Sequence, residues 1–319
     1  MDENDLKLFR SAVVNNGNTN GGRRGYTEIL TAVQENLFPI VTHEERVAGL
    51  TRYRKFFFCD VNASDEAAPN ARFIAKTPTN GEDLIAFFEG TQRDTQADIT
   101  GSEKQYAAGV LASAAASGAT QVVVDFEDAT QVDLAAADKL WLSGTNGSMF
   151  NTITGTPAWI GNQVTIDLTT QLNVDYPEDS ICGCVIECGT LEPTYEDWVE
   201  TSAAGTFDEA GHFLLSNVGA VDDDFTLEFS DATHFQVTGV NEGLIGSGTT
   251  GGDFAPLNPA TSTPYMTIEA AGWGGTWAVG ETITFTTHPP SQPIWGKEKV
   301  TAGAAVESAN QAIGRLYVG

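Results

Sequence analysis

The chain has 319 residues, and its 16 Lys and Arg stand against 43 Asp and Glu, which gives a formal net charge of −27. Such an acidic balance argues against nucleic-acid binding, because clustered Lys and Arg are needed to neutralise phosphates. No stretch of about 18 apolar residues occurs, so we expect no membrane-spanning helix. Only 18% of the residues are charged and 33 are glycine, which indicates an all-β protein.

The cations are unevenly distributed along the chain. Twelve of the 16 basic residues lie between Lys7 and Lys104, and none lies between Lys139 and Lys297. A segment without Lys or Arg cannot use them in internal ion pairs, so its stability must come from apolar burial and backbone hydrogen bonds. In a repeated assembly, we expect basic N-terminal surfaces to meet acidic surfaces of neighbouring copies, in contacts that salt screens.

Residues 1–30 contain the polar stretch NNGNTNGGRRG. This composition is poor in apolar side chains and predicts a flexible, extended N-terminal arm. Arg23 and Arg24 are the most basic point of this arm. They are either part of a solvated loop or candidates for contact with an acidic neighbouring subunit.

Residues 31–104 are predicted to form an N-terminal β domain from the strand-like segments NLFPIV, RYRKFFFCDV, ARFIAKTP and DLIAFFEGT. In RYRKFFFCDV, strand alternation places Lys55 on one face and Arg52 with Arg54 on the other. These three residues are candidates for an inter-subunit contact patch. Charges that protect a strand edge from aggregation would explain them equally well.

Residues 105–192 are predicted to form a middle β domain. Its segment YAAGVLASAAASG is either a weak helix or a strand followed by a loop. The segment ICGCVIEC is typical of a strand with Cys182, Cys184 and Cys188 on one face, while Cys59 lies far away in sequence. The C-x-C-x3-C spacing fits a zinc knuckle poorly. Buried thiols or disulfides, within or between subunits, remain the alternatives for the four cysteines.

Residues 193–319 are predicted to form a C-terminal β-sandwich domain. The chain as a whole then consists of tandem β-sandwiches of immunoglobulin type, or of small β-barrel modules, behind the N-terminal arm. A weak internal echo supports related modules: Phe126 and Phe229 lie in VVVDFEDAT and FTLEFSDAT, and Trp159 and Trp277 each lead through a turn into a strand. Convergent β patterning explains the echo about as well.

Two features resemble binding sites but have a simpler explanation. The consecutive acids Asp222–Asp224 could hold a hard cation, yet adjacent side chains project in different directions, so we expect a solvated turn. Trp273 and Trp277 could form a platform for stacking on carbohydrate, but aromatic packing at the end of a sandwich is more common. We therefore expect neither feature to bind a ligand.

The histidines are scattered and belong to different sequence contexts. They are His43, His212, His234 and His288. Nothing in the sequence ties any of them to a nucleophile or to a supporting carboxylate in space. The sequence therefore predicts a protein that is not an enzyme and that uses no cofactor or metal.

Three segments resemble virion structural proteins of long-tailed bacteriophages. They are NLFPIVTHEERVAGLTRYRKFFFCDVN, ASGATQVVVDFEDAT and SGTTGGDFAPLNPATSTPYMTIEAAGWGGTWAVGETITFTTHPPSQPIWGKEKVTAGAA. Together they span most of the chain between Asn36 and Ala305. The motifs are structural rather than catalytic, and the cysteine cluster is not typical of this family.

The resemblance implies a non-enzymatic subunit of a tailed-phage virion that is assembled in the host cytoplasm. A place in the head-to-tail neck or collar is favoured, as part of a symmetric ring or sheath. The implied partners are copies of itself and other virion proteins of the neck, the portal region, the tail or the capsid, with no nucleic acid and no membrane. The alternatives are a carbohydrate- or receptor-binding module of the tail or baseplate, and a capsid decoration protein.

Overall fold

Strands account for 52% and helices for 7% of the computed structural model, which describes residues 5–30, 33, 35–307 and 312–318. The all-β prediction is therefore confirmed. No helix among the described residues is long and apolar enough to cross a membrane.

The elements are short and follow one another closely. Up to residue 191 they are β1 (Leu6–Val13), β2 (Gly21–Glu28), α1 (His43–Ala48), β3 (Leu50–Asp60), β4 (Ala68–Thr77), β5 (Asp83–Glu89), β6 (Ala108–Leu111), β7 (Gln121–Asp125), β8 (Lys139–Gly144), β9 (Gly147–Ile160), β10 (Gln163–Leu168) and β11 (Ile181–Leu191). Thereafter they are β12 (Thr194–Glu200), β13 (Gly205–Phe207), α2 (Glu209–His212), β14 (Phe213–Leu215), β15 (Asp223–Phe229), β16 (His234–Gly239), β17 (Gly243–Thr249), β18 (Leu257–Asn258), β19 (Thr263–Pro264), β20 (Met266–Ile268), β21 (Trp273–Gly275), β22 (Thr282–His288), β23 (Ser291–Val300) and β24 (Ile313–Tyr317). Short 3₁₀ turns occur at Gln96–Asp98, Ala129–Gln131 and Ala270–Gly272.

The chain forms two compact units. The main unit comprises Arg10–Phe58, Pro69–Gly189 and the chain from Gln292 onward, and the inserted unit comprises Cys59–Ala68 and Thr190–Ser291 with the chain up to Phe9. This grouping differs from a sequential division at residues 31, 105 and 193. The reason is a long-range pairing: β23 returns to β5, with Trp295 opposite Phe88, and sequence patterning does not reveal which strands pair.

The N-terminal segment is part of a sheet rather than a free arm. Strands β1 and β2 belong to a five-stranded sheet of order β2-β1-β3-β23-β5. The Asn-rich turn between them is fixed by polar contacts, since the fully buried Asn20 donates from Nδ2 to the Tyr53 carbonyl at 3.0 Å and to Gln96 Oε1 at 3.1 Å. A prediction that counts only apolar residues misses this kind of anchoring.

Six strands of the main unit close into an antiparallel barrel. The order is β11-β6-β7-β10-β9-β8, and β8 pairs with β11 to complete the circle. Cys182 shows the closure, because it lies opposite Gly109 on one side and Leu142 on the other. The barrel interior contains fully buried aliphatic side chains such as Val124, Leu140, Val164 and Ile166. Burial stabilises each of them by roughly 1.5–3 kcal/mol.

The segment YAAGVLASAAASG forms β6 followed by a loop, so its strand interpretation holds and the helix interpretation is wrong. Gly109 explains the choice. A Cβ atom at this position would lie 2.5 Å from the carbonyl oxygen of Asp125 on the neighbouring β7. The small residues therefore allow neighbouring strands of the barrel to approach closely, and they do not form a helix.

The inserted unit has its own antiparallel sheet and its own core. The sheet has the order β12-β22-β15-β16-β17, and the pairs β13-β21, β14-β20 and β18-β19 form small sheets of their own. The core is aromatic: Phe225, Phe229, Phe235, Phe285 and Trp277 are all at most 3% exposed. Aromatic burial of this kind replaces the Lys and Arg ion pairs that the segment lacks.

The internal echo corresponds to the same local arrangement in both units. The amide of Phe126 donates to the Asn162 carbonyl at 3.1 Å, and the amide of Phe229 donates to the Glu281 carbonyl at 3.0 Å. In each unit the Phe ring contacts the Trp that leads into the returning strand. The ring centroids are 5.9 Å apart for Phe126 with Trp159 and 4.5 Å apart for Phe229 with Trp277.

Candidate interaction surfaces and buried polar sites

The basic residues of β3 lie inside the main unit. Arg52, Arg54 and Lys55 are 3%, 6% and 1% exposed, so they do not form a surface patch. Arg52 donates to the Glu298 carboxylate, which is itself buried. Burial raises the pKa of Glu298, while the Arg52 guanidinium acts in the opposite direction. All three residues have their partners within the chain: Arg52 and Lys55 form ion pairs, and Arg54 donates hydrogen bonds.

Arg54 and Lys55 hold loops of the same unit in place. Arg54 donates to the Asn15 carbonyl at 2.9 Å and to Asn16 Oδ1 at 2.7 Å. The Lys55 ammonium lies 2.6 Å from Asp94 Oδ1 and donates to the Gly22 carbonyl at 2.7 Å. The strand pattern located these residues correctly, but it does not show that other elements cover both faces of β3.

Further contacts complete the surroundings of Lys55. Its ammonium donates to the carbonyls of Asp94 at 3.0 Å and Gln92 at 3.3 Å, and it lies 5.0 Å from the centroid of the Phe57 ring. Arg23 and Arg24, the other two candidate contact residues, lie half-buried on the outer strand β2.

All four cysteines are buried thiols in the structure. Cys182 and Cys184 point into the barrel core, on the same face of β11. Burial raises the pKa of Cys184 and of Cys188 to about 12, which disfavours the reactive thiolate. The alternation of ICGCVIEC thus predicts the buried face, and packing is the role that these side chains have here.

The consecutive acids Asp222–Asp224 do not form a solvated turn, so that prediction is wrong. Asp222 and Asp223 are 3% and 0% exposed. The Asp223 carboxylate accepts from the Asn241 amide at 3.0 Å, from Asn241 Nδ2 at 2.7 Å and from the Glu242 amide at 2.9 Å. A carboxylate can be buried without a cation when several N–H groups satisfy it.

Each histidine of the inserted unit is bonded to carboxylates. His212 contacts Glu269 at 2.9 Å, His234 contacts Asp231 at 2.9 Å, and His288 contacts both Asp222 at 2.7 Å and Glu196 at 3.0 Å. Residues 190–291 contain 15 Asp and Glu and no Lys or Arg. Histidine is therefore the side chain that can bring positive charge into this segment.

His288 uses both ring nitrogens. Its Nδ1 faces Asp222 and its Nε2 faces Glu196. A neutral imidazole has one N–H and an ionised carboxylate only accepts, so both bonds together require the imidazolium. Accordingly the hydrogen bond to Asp222, followed by that to Glu196, raises the pKa of His288 above 6.5 against the opposing effect of burial.

We predict that His288→Gln lowers the free energy of unfolding by about 1–2 kcal/mol near pH 5.5 and by clearly less near pH 9. The folded pKa is raised, so the stabilisation is complete below the unfolded pKa and is lost as the pH rises through the folded pKa. Chemical denaturation at both pH values measures the difference. His234→Gln is the matched control, because the His234 side chain is 59% exposed; equal pH dependence in both variants would contradict the assignment.

The two tryptophans considered for carbohydrate stacking are packed into the core of the inserted unit. Trp277 is 3% exposed and stacks on Phe229. Trp273 is half-buried and contacts Phe207 at a centroid distance of 4.6 Å. Both indole rings thus belong to the aromatic packing of the inserted unit.

A shallow groove of about 440 Å³ lies beside Lys104, Thr130, Asp133 and Trp159 in the main unit. Across the described ranges, no cluster of three or more His, Cys, Asp or Glu side chains is arranged to hold a metal ion. The groove brings one cation, one acid and one indole together. Its cation, Lys104, forms an ion pair with Asp138 of the protein itself.

Comparison with known proteins gives no match: no family model, no curated protein and no solved structure is similar to the chain.

Proposed function

We propose that the protein is a non-enzymatic structural subunit of a tailed-phage virion that assembles with copies of itself into a ring in the neck or collar. We also infer that the inserted unit is a sandwich module of immunoglobulin type, since one aromatic core lies against its five-stranded sheet. The observation that carries the assembly proposal is an exposed apolar segment near the N-terminus.

This N-terminal apolar segment consists of Leu30, Val33, Ile40 and Val47, which are 53%, 52%, 67% and 60% exposed. The last of them lies on α1, a helix without any buried residue. Single exposed aliphatic side chains are ordinary on protein surfaces, whereas contiguous apolar patches mark interaction sites. We infer such a patch from these four side chains because they lie within 18 residues of the chain. A neighbouring subunit would remove this surface from water.

The charge distribution favours contacts between unlike surfaces. Because residues 190–291 have 15 acids and no Lys or Arg, two such surfaces repel each other at close range. A ring built from repeated unlike contacts avoids that repulsion, whereas a two-fold contact through the acidic surface would not. Arg93 and Arg315 are exposed cations of the main unit that suit such a contact.

We predict that the double variant Leu30→Asp with Ile40→Asp dissociates the assembly into monomers, because each substitution places a charge in the buried contact. The unfolding midpoint of the monomer should change little, since both side chains are more than half exposed. Size-exclusion chromatography with light scattering measures the mass. Mass spectrometry of purified virus particles should find the chain at a copy number that is a multiple of the number of subunits in the ring.

The matched control is Ile160→Asp with Val279→Asp, which makes the same charge change at side chains that are 84% and 73% exposed. It should leave the assembly intact. A wild-type chain that stays monomeric at about 100 µM and is absent from intact particles would overturn the proposal, since a stable ring is expected to persist at that concentration.

A further inference from the structure

Strand β12 forms one edge of the five-stranded sheet of the inserted unit, beside β22. The pairing of these two strands is interrupted, because the register shifts between Glu196 and Val199. Asp197 lies within this bulge and has a positive φ of 54°. A bulge bends an edge strand and interrupts its ladder of hydrogen bonds. The two halves of β12 are therefore held to the sheet by separate contacts.

The two halves of β12 differ in how their side chains pack. In the second half, the Trp198 ring stacks on Phe285 at a centroid distance of 5.1 Å and on Phe207 at 5.7 Å. The first half, residues 194–196, has two exposed side chains around a half-buried tyrosine. Fewer buried contacts make a segment easier to open locally. A single contact between strands therefore matters more to the first half.

His288 on β22 supplies such a contact, and it reaches both neighbours of its strand. Its Nε2 lies 3.0 Å from Glu196 Oε1 on β12, and its Nδ1 lies 2.7 Å from Asp222 Oδ1, directly before β15. The two carboxylates differ in their surroundings. The Asp222 side chain is 1% exposed, whereas the Glu196 side chain is 63% exposed. One imidazole thus joins a buried acid to an acid on the edge strand.

Loss of one proton from the imidazolium breaks one of these two bonds, since the neutral ring keeps a single N–H. The buried Asp222 carboxylate loses more free energy without its donor than Glu196 does, because water can replace the ring at an exposed carboxylate. The neutral ring therefore keeps its N–H on Nδ1. The lone pair of Nε2 then faces the Glu196 carboxylate, and two acceptors repel each other.

The charged groups that face His288 from the two strands beside β22 are acids. Besides Glu196 and Asp222, Asp224 accepts from Thr286 Oγ1 at 2.8 Å, and Thr286 shares a face of β22 with His288. The hydrogen bond to Asp222 raises the pKa of His288 above 6.5, burial lowers it, and the bond to Glu196 raises it again. The contact with Glu196 is therefore complete below the unfolded pKa and is lost as the pH rises through the folded pKa.

We propose that His288 is a pH-dependent latch for the edge strand β12. As an imidazolium it holds residues 194–196 against β22. As a neutral imidazole it stays bound to Asp222 and releases these residues, while Trp198 keeps the second half of β12 in place. Opening of the latch at alkaline pH uncovers the backbone groups of β22 that residues 194–196 cover, so the sheet gains a new free edge.

Hydrogen exchange of the full chain at pH 6 and pH 9 tests the latch, with rates corrected for the intrinsic effect of pH on exchange. Protection of the amides in residues 194–196 should fall about fivefold at pH 9, the upper range for a partly exposed ion pair. About 1 M urea should leave this protection unchanged, because local opening exposes little surface, whereas the amides of β15 should follow global unfolding. Equal protection of residues 194–196 at both pH values, or the same urea dependence as β15, overturns the proposal.

Two variants at exposed acids sharpen the test. The side-chain amide of Glu196→Gln can accept from the imidazolium and can donate to the neutral Nε2. Protection of residues 194–196 in this variant should therefore be the same at pH 6 and pH 9. Glu228→Gln makes the same charge change at an exposed acid on β15 and should keep the pH response of the wild type. If both variants respond alike, the contact of His288 with Glu196 is not the latch.

Discussion

Replacing Lys55 with methionine is expected to lower the free energy of unfolding by about 3–5 kcal/mol. The substitution keeps most of the aliphatic length but removes the ammonium that lies 2.6 Å from Asp94 Oδ1. It leaves the carboxylate and the carbonyls of Gly22 and Gln92 without this donor. Breaking a buried pair from one side costs much more than a surface pair contributes, since the remaining charge stays desolvated.

Urea denaturation of the purified chain measures this loss. The matched control is Lys104→Met, because Lys104 also pairs with a single aspartate, Asp138, but its side chain is 39% exposed. An exposed pair contributes about 0–1 kcal/mol, so the control should change little. If the two variants lose stability equally, the Lys55 ammonium is not an internal anchor, and a role in contact with other subunits regains support.

The same experiment separates two explanations for the basic strand β3. A contact patch between subunits would respond to salt and would leave the isolated chain stable. Salt screens an internal ion pair much less, and the loss of such a pair changes the free energy of unfolding of the single chain. Neutralising Arg52 or Arg54 should therefore lower the stability of a single chain. Arg23 and Arg24, which are half-buried on β2, stay candidates for contact between copies.

Patterning along the chain was sufficient for local structure. The alternation in RYRKFFFCDV and ICGCVIEC identified β3 and β11, and the echo around Phe126 and Phe229 identified a turn that recurs in both units. These features depend on neighbours a few residues apart or on a single returning strand. They are the part of the fold that hydrophobic periodicity encodes directly.

Long-range pairing and polar burial could not be predicted in the same way. Closure of the barrel depends on β11 meeting both β6 and β8, and alternation in one strand does not specify its partners. Asp223 and Asn20 are buried because N–H donors and carbonyls from distant segments satisfy them. A polar composition was therefore interpreted as solvent exposure.

The second large effect is expected from a substitution on β11, at a glycine between the two cysteines that face the barrel core. Gly183 lies between Cys182 and Cys184, which point into the barrel core. A Cβ atom at Gly183 would lie 2.2 Å from the carbonyl oxygen of Ala75 on the neighbouring β4. Backbone cannot yield as the end of a flexible side chain can, so one of the two strands must move.

We therefore expect Gly183→Ala to lower the free energy of unfolding by about 3 kcal/mol or more, at the upper end of what overpacking costs. Local displacement of β11 should also open the barrel wall beside the two cysteines. Burial raises the pKa of the Cys184 thiol to about 12, so the wild-type thiols should react slowly with a thiol reagent, and the variant should react much faster.

Gly17→Ala is the control for a glycine without such a contact, since the nearest atom to its added Cβ lies 3.5 Å away. Its stability and thiol reactivity should equal those of the wild type. Unchanged thiol reactivity in Gly183→Ala would show that β11 accommodates the methyl group without leaving β4. The close approach of Gly183 to Ala75 would then not be what positions the cysteine strand, and the C-G-C spacing would reflect only the packing of the two thiols in the barrel.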